Sequence, residues 1–464
     1  MSLKTVHFIS LGCPKNRVDT EVMLGVSEAS GLALVAEPED AEVIVINTCG
    51  FIDRAKEESI DTILEMARYK IMGKCQRLVV AGCLSQRYSK ELALQLPEVD
   101  HFLGSSDMLR LREVLATSAP RILVGNPADY LFQSSDPRRI STRIHSVFVK
   151  IAEGCNRTCS FCAIPSIRGK QRSRPVFDIV QEIHTLVERG SVEVNLISQD
   201  TIAYGRDLDP RASLSELLRS IAAVEQLRWL RLFYLYPETL TSELLDLFTE
   251  HPSLVPYIDM PLQHASDAML RRMRRGHGGD RLYRVVEHLR NRISDLTLRT
   301  AFILGHPGET DKDFKELCNF VEWAGFDSVG VFLYSSEHDT PSGHMADPVP
   351  AEIAQRRADE LMAIQRSISK RKQEAFIGQR IEVLVDGPSD ESQYLLEGRH
   401  RGQAPDIDGK VYLANGAAKP GELIEAKVTA AADYDLLADI LTQSRHRGSQ
   451  EKPQHQRLPV VMDG

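Results

Sequence analysis

Cysteine is scarce in this chain, with eight in 464 residues. So few thiols in so long a chain exclude a disulfide scaffold, and where they cluster in a reducing compartment they read as metal ligands. Long apolar runs are missing too. No stretch of about 18 uncharged apolar residues is present to cross a bilayer, and the opening Met1-Ser-Leu-Lys-Thr-Val-His7 lacks the charged-then-apolar pattern of a secretory leader. A cytoplasmic protein without a membrane partner is expected. Positive charge is short: 56 Lys and Arg against 65 Asp and Glu leave a formal net charge of -9. That balance argues against nucleic-acid binding over the whole surface, although a local basic patch would survive the average, so nucleic-acid contact stays open but is not favoured. What is present is an ordinary globular composition, 42% apolar and 26% charged, at a length that suits about three domains.

Three of the eight cysteines fall within eight residues. Cys155, Cys159 and Cys162 stand in Glu153-Gly-Cys-Asn-Arg-Thr-Cys-Ser-Phe-Cys-Ala163, directly after the apolar stretch Val147-Phe-Val-Lys-Ile151. The CxxxCxxC spacing supplies three thiolates to a cubane that takes four ligands, leaving one iron open to a substrate or cofactor. A closed four-cysteine site would want a fourth thiol nearby, and the next along the chain is Cys318. A zinc site completed by a histidine, or three buried thiols, are the plainer readings. The three-residue gap and the missing second Cys pair weigh against zinc.

The chain as a whole reads as α/β. Residues 1–130 alternate β-branched runs with helical patterns, the rhythm of a small parallel sheet. The runs are Thr5-Val-His-Phe-Ile-Ser10, Glu42-Val-Ile-Val-Ile-Asn47, Arg77-Leu-Val-Val-Ala81 and a weaker His101-Phe-Leu-Gly104. Each of the first three ends in a cysteine: Leu11-Gly-Cys13, Thr48-Cys49-Gly50 and Gly82-Cys83. In a parallel sheet the carboxyl ends share one edge, where ligands bind, so Cys13, Cys49 and Cys83 should converge. Their neighbouring glycines would admit a bulky inorganic ligand. Cys75 precedes its strand and should lie at the opposite edge, while Cys318, in Phe314-Lys-Glu-Leu-Cys-Asn-Phe-Val321, reads as core.

Residues 141–375 repeat the alternation on a larger scale. Strands are predicted at 146–152, 192–198, 230–235, 255–259, 298–304 and 328–333, with helical patterns between them and a charged trailing helix at about 350–375. Six βα units suggest a partial, open barrel with its site at the strands' carboxyl ends. Loops Ser198-Gln-Asp-Thr201, Tyr234 to Pro237, Pro261-Leu-Gln-His264 and Gly305-His-Pro-Gly-Glu309 would complete the pocket there. His264 and His306 fit either a metal ligand or an ordinary hydrogen-bonded loop histidine. Residues 376–442 turn to short β-like runs broken by Gly and Pro, which suits a small antiparallel barrel. Between Phe376 and Ile440 that module holds six Lys or Arg against twelve Asp or Glu, which suits a basic protein partner better than a phosphate backbone. The tail, 443–464, is polar and reads as disordered.

The CxxxCxxC run with Phe161 before its last cysteine resembles the signature of the radical S-adenosylmethionine enzymes. The full order, a three-cysteine α/β domain, a CxxxCxxC barrel and a terminal β-module, resembles the methylthiotransferases of that superfamily, whose terminal module is a TRAM domain. Ser10-Leu-Gly-Cys-Pro-Lys-Asn16 and Asp259-Met-Pro-Leu-Gln-His264 look like the RimO branch, which modifies an aspartate of small-ribosomal-subunit protein twelve. The transfer-RNA branch typically carries Gly-Cys-Gln-Met-Asn at the first of these. The resemblance implies two 4Fe-4S clusters, one on Cys155, Cys159 and Cys162 that splits S-adenosylmethionine, the other on Cys13, Cys49 and Cys83 that presents the sulfur. It also implies a low-potential electron donor and a pocket for S-adenosylmethionine that includes Phe161, Ser198 and Gly305. The rival readings are the same chemistry on transfer-RNA adenosine, an iron-sulfur electron-transfer or cluster-carrier protein, and, more distantly, a zinc-binding ribosome-associated factor.

Overall fold

The computed structural model describes residues 3–116, 119–238 and 240–441; the polar tail lies outside them. The first sheet is built from β1 (Thr5–Ser10), β2 (Ala33–Leu34), β3 (Val43–Thr48), β4 (Arg77–Gly82), β5 (His101–Leu103) and β6 (Ile122–Leu123), in the order β2-β1-β3-β4-β5-β6. All pairs are parallel. Every residue of β3 is buried, as its unbroken Val/Ile run requires of a strand covered on both faces. Because β1, β3 and β4 are consecutive neighbours, the three cysteines that follow them stand side by side at one edge. The two-residue strands β2 and β6 escaped prediction because neither is long enough to show a period.

The second sheet uses β7 (Ser146–Lys150), then, after a small hairpin of β8 (Ala152–Glu153) and β9 (Arg172–Ser173), β10 (Glu193–Ile197), β11 (Trp229–Leu232), β12 (Leu254–Asp259), β13 (Thr297–Leu304) and β14 (Ser328–Leu333). Its order, β14-β13-β12-β11-β10-β7, is all parallel and does not close, so it is a six-stranded half-barrel. Helices at Val176–Glu188, Leu214–Ala222, Ser242–Glu250, Gly279–Arg292 and Asp311–Ala324 supply apolar residues to the large core with the strands. The trailing helix Ala351–Glu374 adds Leu361 and Ile368 to that core. Three predicted strands of this sheet run shorter than expected, the second by one residue at each end. The first turns after Lys150 into the hairpin. The third stops at Leu232 because Tyr234 takes a left-handed backbone (φ 59°) that a pleated strand cannot continue.

The third sheet is a closed barrel of β15 (Arg380–Pro388), β16 (Leu396–His400), β17 (Val411–Ala414), β18 (Leu423–Ala431) and β19 (Leu436–Ile440). It is antiparallel except where β19, a strand the sequence pattern did not reveal, pairs parallel with β17 to close it. A mixed apolar cluster ties the three units together: Val18 from the first, Phe148, Trp229 and Tyr257 from the second, Leu384 and Ala404 from the third. At least four of the last module's twelve acidic residues are engaged within the chain. Asp386 meets His145 and Arg399, Glu397 meets Arg143, Asp406 meets Arg17, and Asp408 accepts from the Tyr257 hydroxyl. The acidic surplus that suggested a basic partner thus serves in part to dock the module on the chain's own cations Arg17 and Arg143.

Candidate functional site

Cys13 caps the helix Pro14–Ala29 and Cys83 begins the helix Cys83–Gln95, so two of the strand-end thiols sit at helix N-termini, where the helix dipole favours negative charge. The third, Cys49, closes the gap between them. A Cβ on Gly12 (φ +88°) would stand 2.9 Å from the Cys49 Cβ. The glycine thus makes room here for a neighbouring cysteine. Asn16 ties the strand ends, donating to the Leu11 and Thr48 carbonyls (3.1 and 3.0 Å), and Cys83 Sγ lies 3.5 Å from its Oδ1. Burial pushes the Cys49 thiol up to about 12 and raises that of Cys83.

The other trio follows the β8 strand at the half-barrel's mouth. The Cys155 amide donates to Gly169 O, that of Cys162 to Cys159 O, and Cys159 Sγ lies 3.5 Å from the Tyr236 hydroxyl and 3.4 Å from Arg275 Nη1. Burial raises Cys155 to about 11 and Cys162 to about 12. Thiols so protonated are poor nucleophiles on their own, and metal ligation would displace their protons. Among the described residues no three His, Cys, Asp or Glu gather closely enough for a single metal ion. A cubane asks for a wider spread, since each thiolate meets a different iron.

The two trios share one interface. Cys83 packs with Ala163 and Ile167, the residues that follow Cys162. Arg168, buried at the end of the short helix Ile164–Arg168, donates to Cys83 Sγ (3.2 Å), Asn16 Oδ1 (2.5 Å), Asp19 (2.8 Å) and Glu153 (3.2 Å). Lys150 pairs with the same Asp19 (2.6 Å) and Glu153. Glu153 is buried, which alone would raise its pKa, yet Lys150 and Arg168 hold it well below the carboxylate range. Lys15, two residues past Cys13, is also buried, and desolvation lowers its pKa against the pull of Cys13, Glu153 and Asp259.

Around the mouth, buried polar atoms lack partners among the described residues: Gln199 Oε1, Asp200 Oδ1, Arg275 Nε, both ring nitrogens of His277, and Nε2 of His264 and His306. Such a set suits a polar organic ligand beside the cysteines. Ser198 and Gly305 lie on this edge, after β10 and β13. The Ser198 hydroxyl is engaged with Thr201 (3.0 Å), and Gly305 (φ +81°) donates its amide to Glu309 (2.7 Å), with no room for a side chain against Ala354. Phe161 is half-buried in the cysteine loop. His264 Nδ1 accepts the amides of Ala265 and Ser266, and His306 Nδ1 lies 3.2 Å from the Pro307 carbonyl. Cys75 and Cys318 both sit in apolar cores. Arg168, Lys150, Asp19 and Arg275 escaped the sequence reading, since nothing local marks a charged residue whose partners lie far along the chain.

Three family profiles match the chain in the order of its sheets: the Uncharacterized protein family UPF0004 over residues 5–104, the Radical SAM superfamily over 149–321, and the TRAM domain over 377–441. A Sorangium cellulosum (strain So ce56) protein named ribosomal protein uS12 methylthiotransferase RimO is 61% identical over 447 residues, 95% of this chain and 92% of that one. The chain belongs to the RimO family of radical S-adenosylmethionine methylthiotransferases. Two further RimO proteins, from Anaeromyxobacter sp. (strain K) and Myxococcus xanthus (strain DK1622), are each 47% identical, covering 99% and 94% of the chain and 98% and 92% of their own lengths. Among solved structures, the radical S-adenosylmethionine methyltransferase TsrM from Kitasatospora setae, with tryptophan substrate and a cofactor analogue bound, aligns at TM-score 0.55 and 13% identity over 80% of this chain and 90% of that one. That likeness shows the fold alone. With membership in the RimO family come its cofactors, two 4Fe-4S clusters and S-adenosylmethionine.

Proposed function

We propose that this chain adds a methylthio group to the β-carbon of an aspartate in ribosomal protein uS12, with Cys155, Cys159 and Cys162 holding the cluster that serves S-adenosylmethionine and Cys13, Cys49 and Cys83 holding the second. The observation that carries the reading is the packing of Cys83, from one trio, on the segment that follows Cys162, from the other. Bound there, the clusters and S-adenosylmethionine would supply the one-electron chemistry and the sulfur that carbon–sulfur bond formation at an unactivated carbon demands. The chain's own residues do the rest. The interlocked Asp19, Lys150, Glu153 and Arg168 fix the two edges against each other.

Phe161, Ser198 and Gly305 border the S-adenosylmethionine pocket in this reading, with Asp200, Arg275 and His277 offering the unpartnered polar atoms. The name shared by the relatives supports uS12 as substrate. No described helix is long and apolar enough to cross a membrane. The cytoplasm, where a low-potential electron donor and ribosomes meet, is the compartment the reading requires. Mass spectrometry of uS12 and of transfer RNA from cells lacking this chain tests the reading. Loss of the CH2S increment from the uS12 aspartate is expected. An intact modification on uS12 with a missing one on transfer RNA contradicts it.

A further inference from the structure

Among the described residues two lysines are buried, Lys15 and Lys150. Lys150 sits between the carboxylates of Asp19 and Glu153. Lys15 is 9% exposed and its side chain has neither a hydrogen bond nor an ion pair with any described residue; its ammonium rests over the Tyr234 ring, 3.4 Å from the centroid. A ring face offsets only part of what an ammonium loses on leaving water.

The carboxylates that could neutralise Lys15 are engaged elsewhere. Glu153 is held by Lys150, Arg168 and Gln199. Asp259 is held by Arg299 (2.9 Å) and the Tyr234 amide (3.1 Å). Lys15 nevertheless stands at the meeting point of the two thiol edges, two residues past Cys13 and against a tyrosine that follows β11 at the half-barrel's mouth. An uncommitted buried cation in that position is a seat for an anion that arrives with the substrate.

We infer that Lys15 receives the carboxylate of the target aspartate and so sets the enzyme's preference for an acidic side chain. The inference rests on the uS12 reading and deepens it. In an aspartate the carboxyl carbon is bonded directly to the β-carbon, so gripping the carboxylate beside Cys13 holds the reacting carbon one bond away, next to the second thiol edge. S-adenosylmethionine also carries a carboxylate, and the test separates the two sources.

The test uses the anaerobically prepared full chain with both clusters, as wild type, Lys15→Met and Lys15→Arg. Fluorescence anisotropy measures binding of a synthetic uS12 peptide bearing the aspartate and of its asparagine twin; equilibrium dialysis measures S-adenosylmethionine binding; iron is counted in each preparation. Wild type is expected to prefer the aspartate peptide. Lys15→Met should erase about 10- to 100-fold of that preference, the usual effect of losing a charge-assisted hydrogen bond. Lys15→Arg should restore part of it, with iron content and S-adenosylmethionine affinity unmoved in both variants. A Lys15→Met enzyme that still discriminates overturns the inference. So does one that loses iron or S-adenosylmethionine affinity instead, which would make Lys15 a cofactor or structural residue. If the wild type binds and methylthiolates the aspartate peptide while Lys15→Met discriminates equally well, only this inference falls. If the wild type binds neither peptide, the uS12 reading falls and takes the inference with it.

Discussion

Arg168 is the side chain on which the charge of the domain interface converges, since its guanidinium serves a thiol, an amide and two carboxylates at once. Replacing it with glutamine leaves Asp19 and Glu153 to share Lys150 alone, in a place water does not reach. Breaking a buried ion pair from one side costs about 3–5 kcal/mol. Arg168→Gln should therefore melt several degrees lower by calorimetry, while Arg168→Lys, which keeps charge but not the planar fork, should fall between. His264 makes a second residue-scale case. Its Nδ1 accepts two backbone amides, and burial presses its pKa from 6.5 to about 3, so it folds neutral. A pKa lowered by folding contributes stability above pH 6.5 that is lost as pH falls toward 3. His264→Leu should lower unfolding free energy at pH 7 by about 2 kcal/mol and flatten that acid slope in denaturant titrations. The hydrogen-bonded loop histidine was one of the two readings open for His264, but the partners of Arg168 were not legible beforehand. The six cysteines were, because thiols at a fixed spacing, or after successive strands, announce themselves locally; Arg168 draws partners from residues 16, 19, 83 and 153, and no window of sequence contains them.

At the scale of elements, the long Val/Ile strands were readable from composition, and β1, β3, β4 and β13 begin and end close to where their apolar runs do. What sequence missed was decided by tertiary pairing: β16 carries Glu397, Gly398 and Arg399 in a buried strand because each charge has a partner, and β19 exists because the barrel needs a fifth strand to close. The same pairings dock the terminal barrel. Burial alone would raise the pKa of Asp386, but Arg399 (2.8 Å) and His145 (3.0 Å) hold it well below its ordinary 3.8. The contribution is then complete above pH 3.8 and disappears as pH drops further. Asp386→Asn should loosen the barrel at neutral pH, read as faster proteolysis within residues 370–380, and wild type should show the same cleavage only in strong acid.

For the whole molecule, three sheets with separate cores are held in one arrangement by a mixed apolar cluster and by ion pairs across each boundary, Arg168 with Asp19, Arg399 with Glu193 and Arg17 with Asp406. That arrangement places two sets of three thiols on opposing edges of a single interface. The general plan was visible in the order of motifs. The contact of Cys83 with Ala163 and Ile167 was not, because it depends on how two separate sheets meet. The direct test is iron counting on anaerobically reconstituted chain, alongside two triple variants with either Cys13, Cys49 and Cys83 or Cys155, Cys159 and Cys162 replaced by alanine. The expected result is about eight irons for the wild type and about four for each variant, with a 4Fe-4S spectrum in all three. A wild type with about four irons, or a triple variant that keeps all of the wild type's iron, would contradict two separate three-thiol sites.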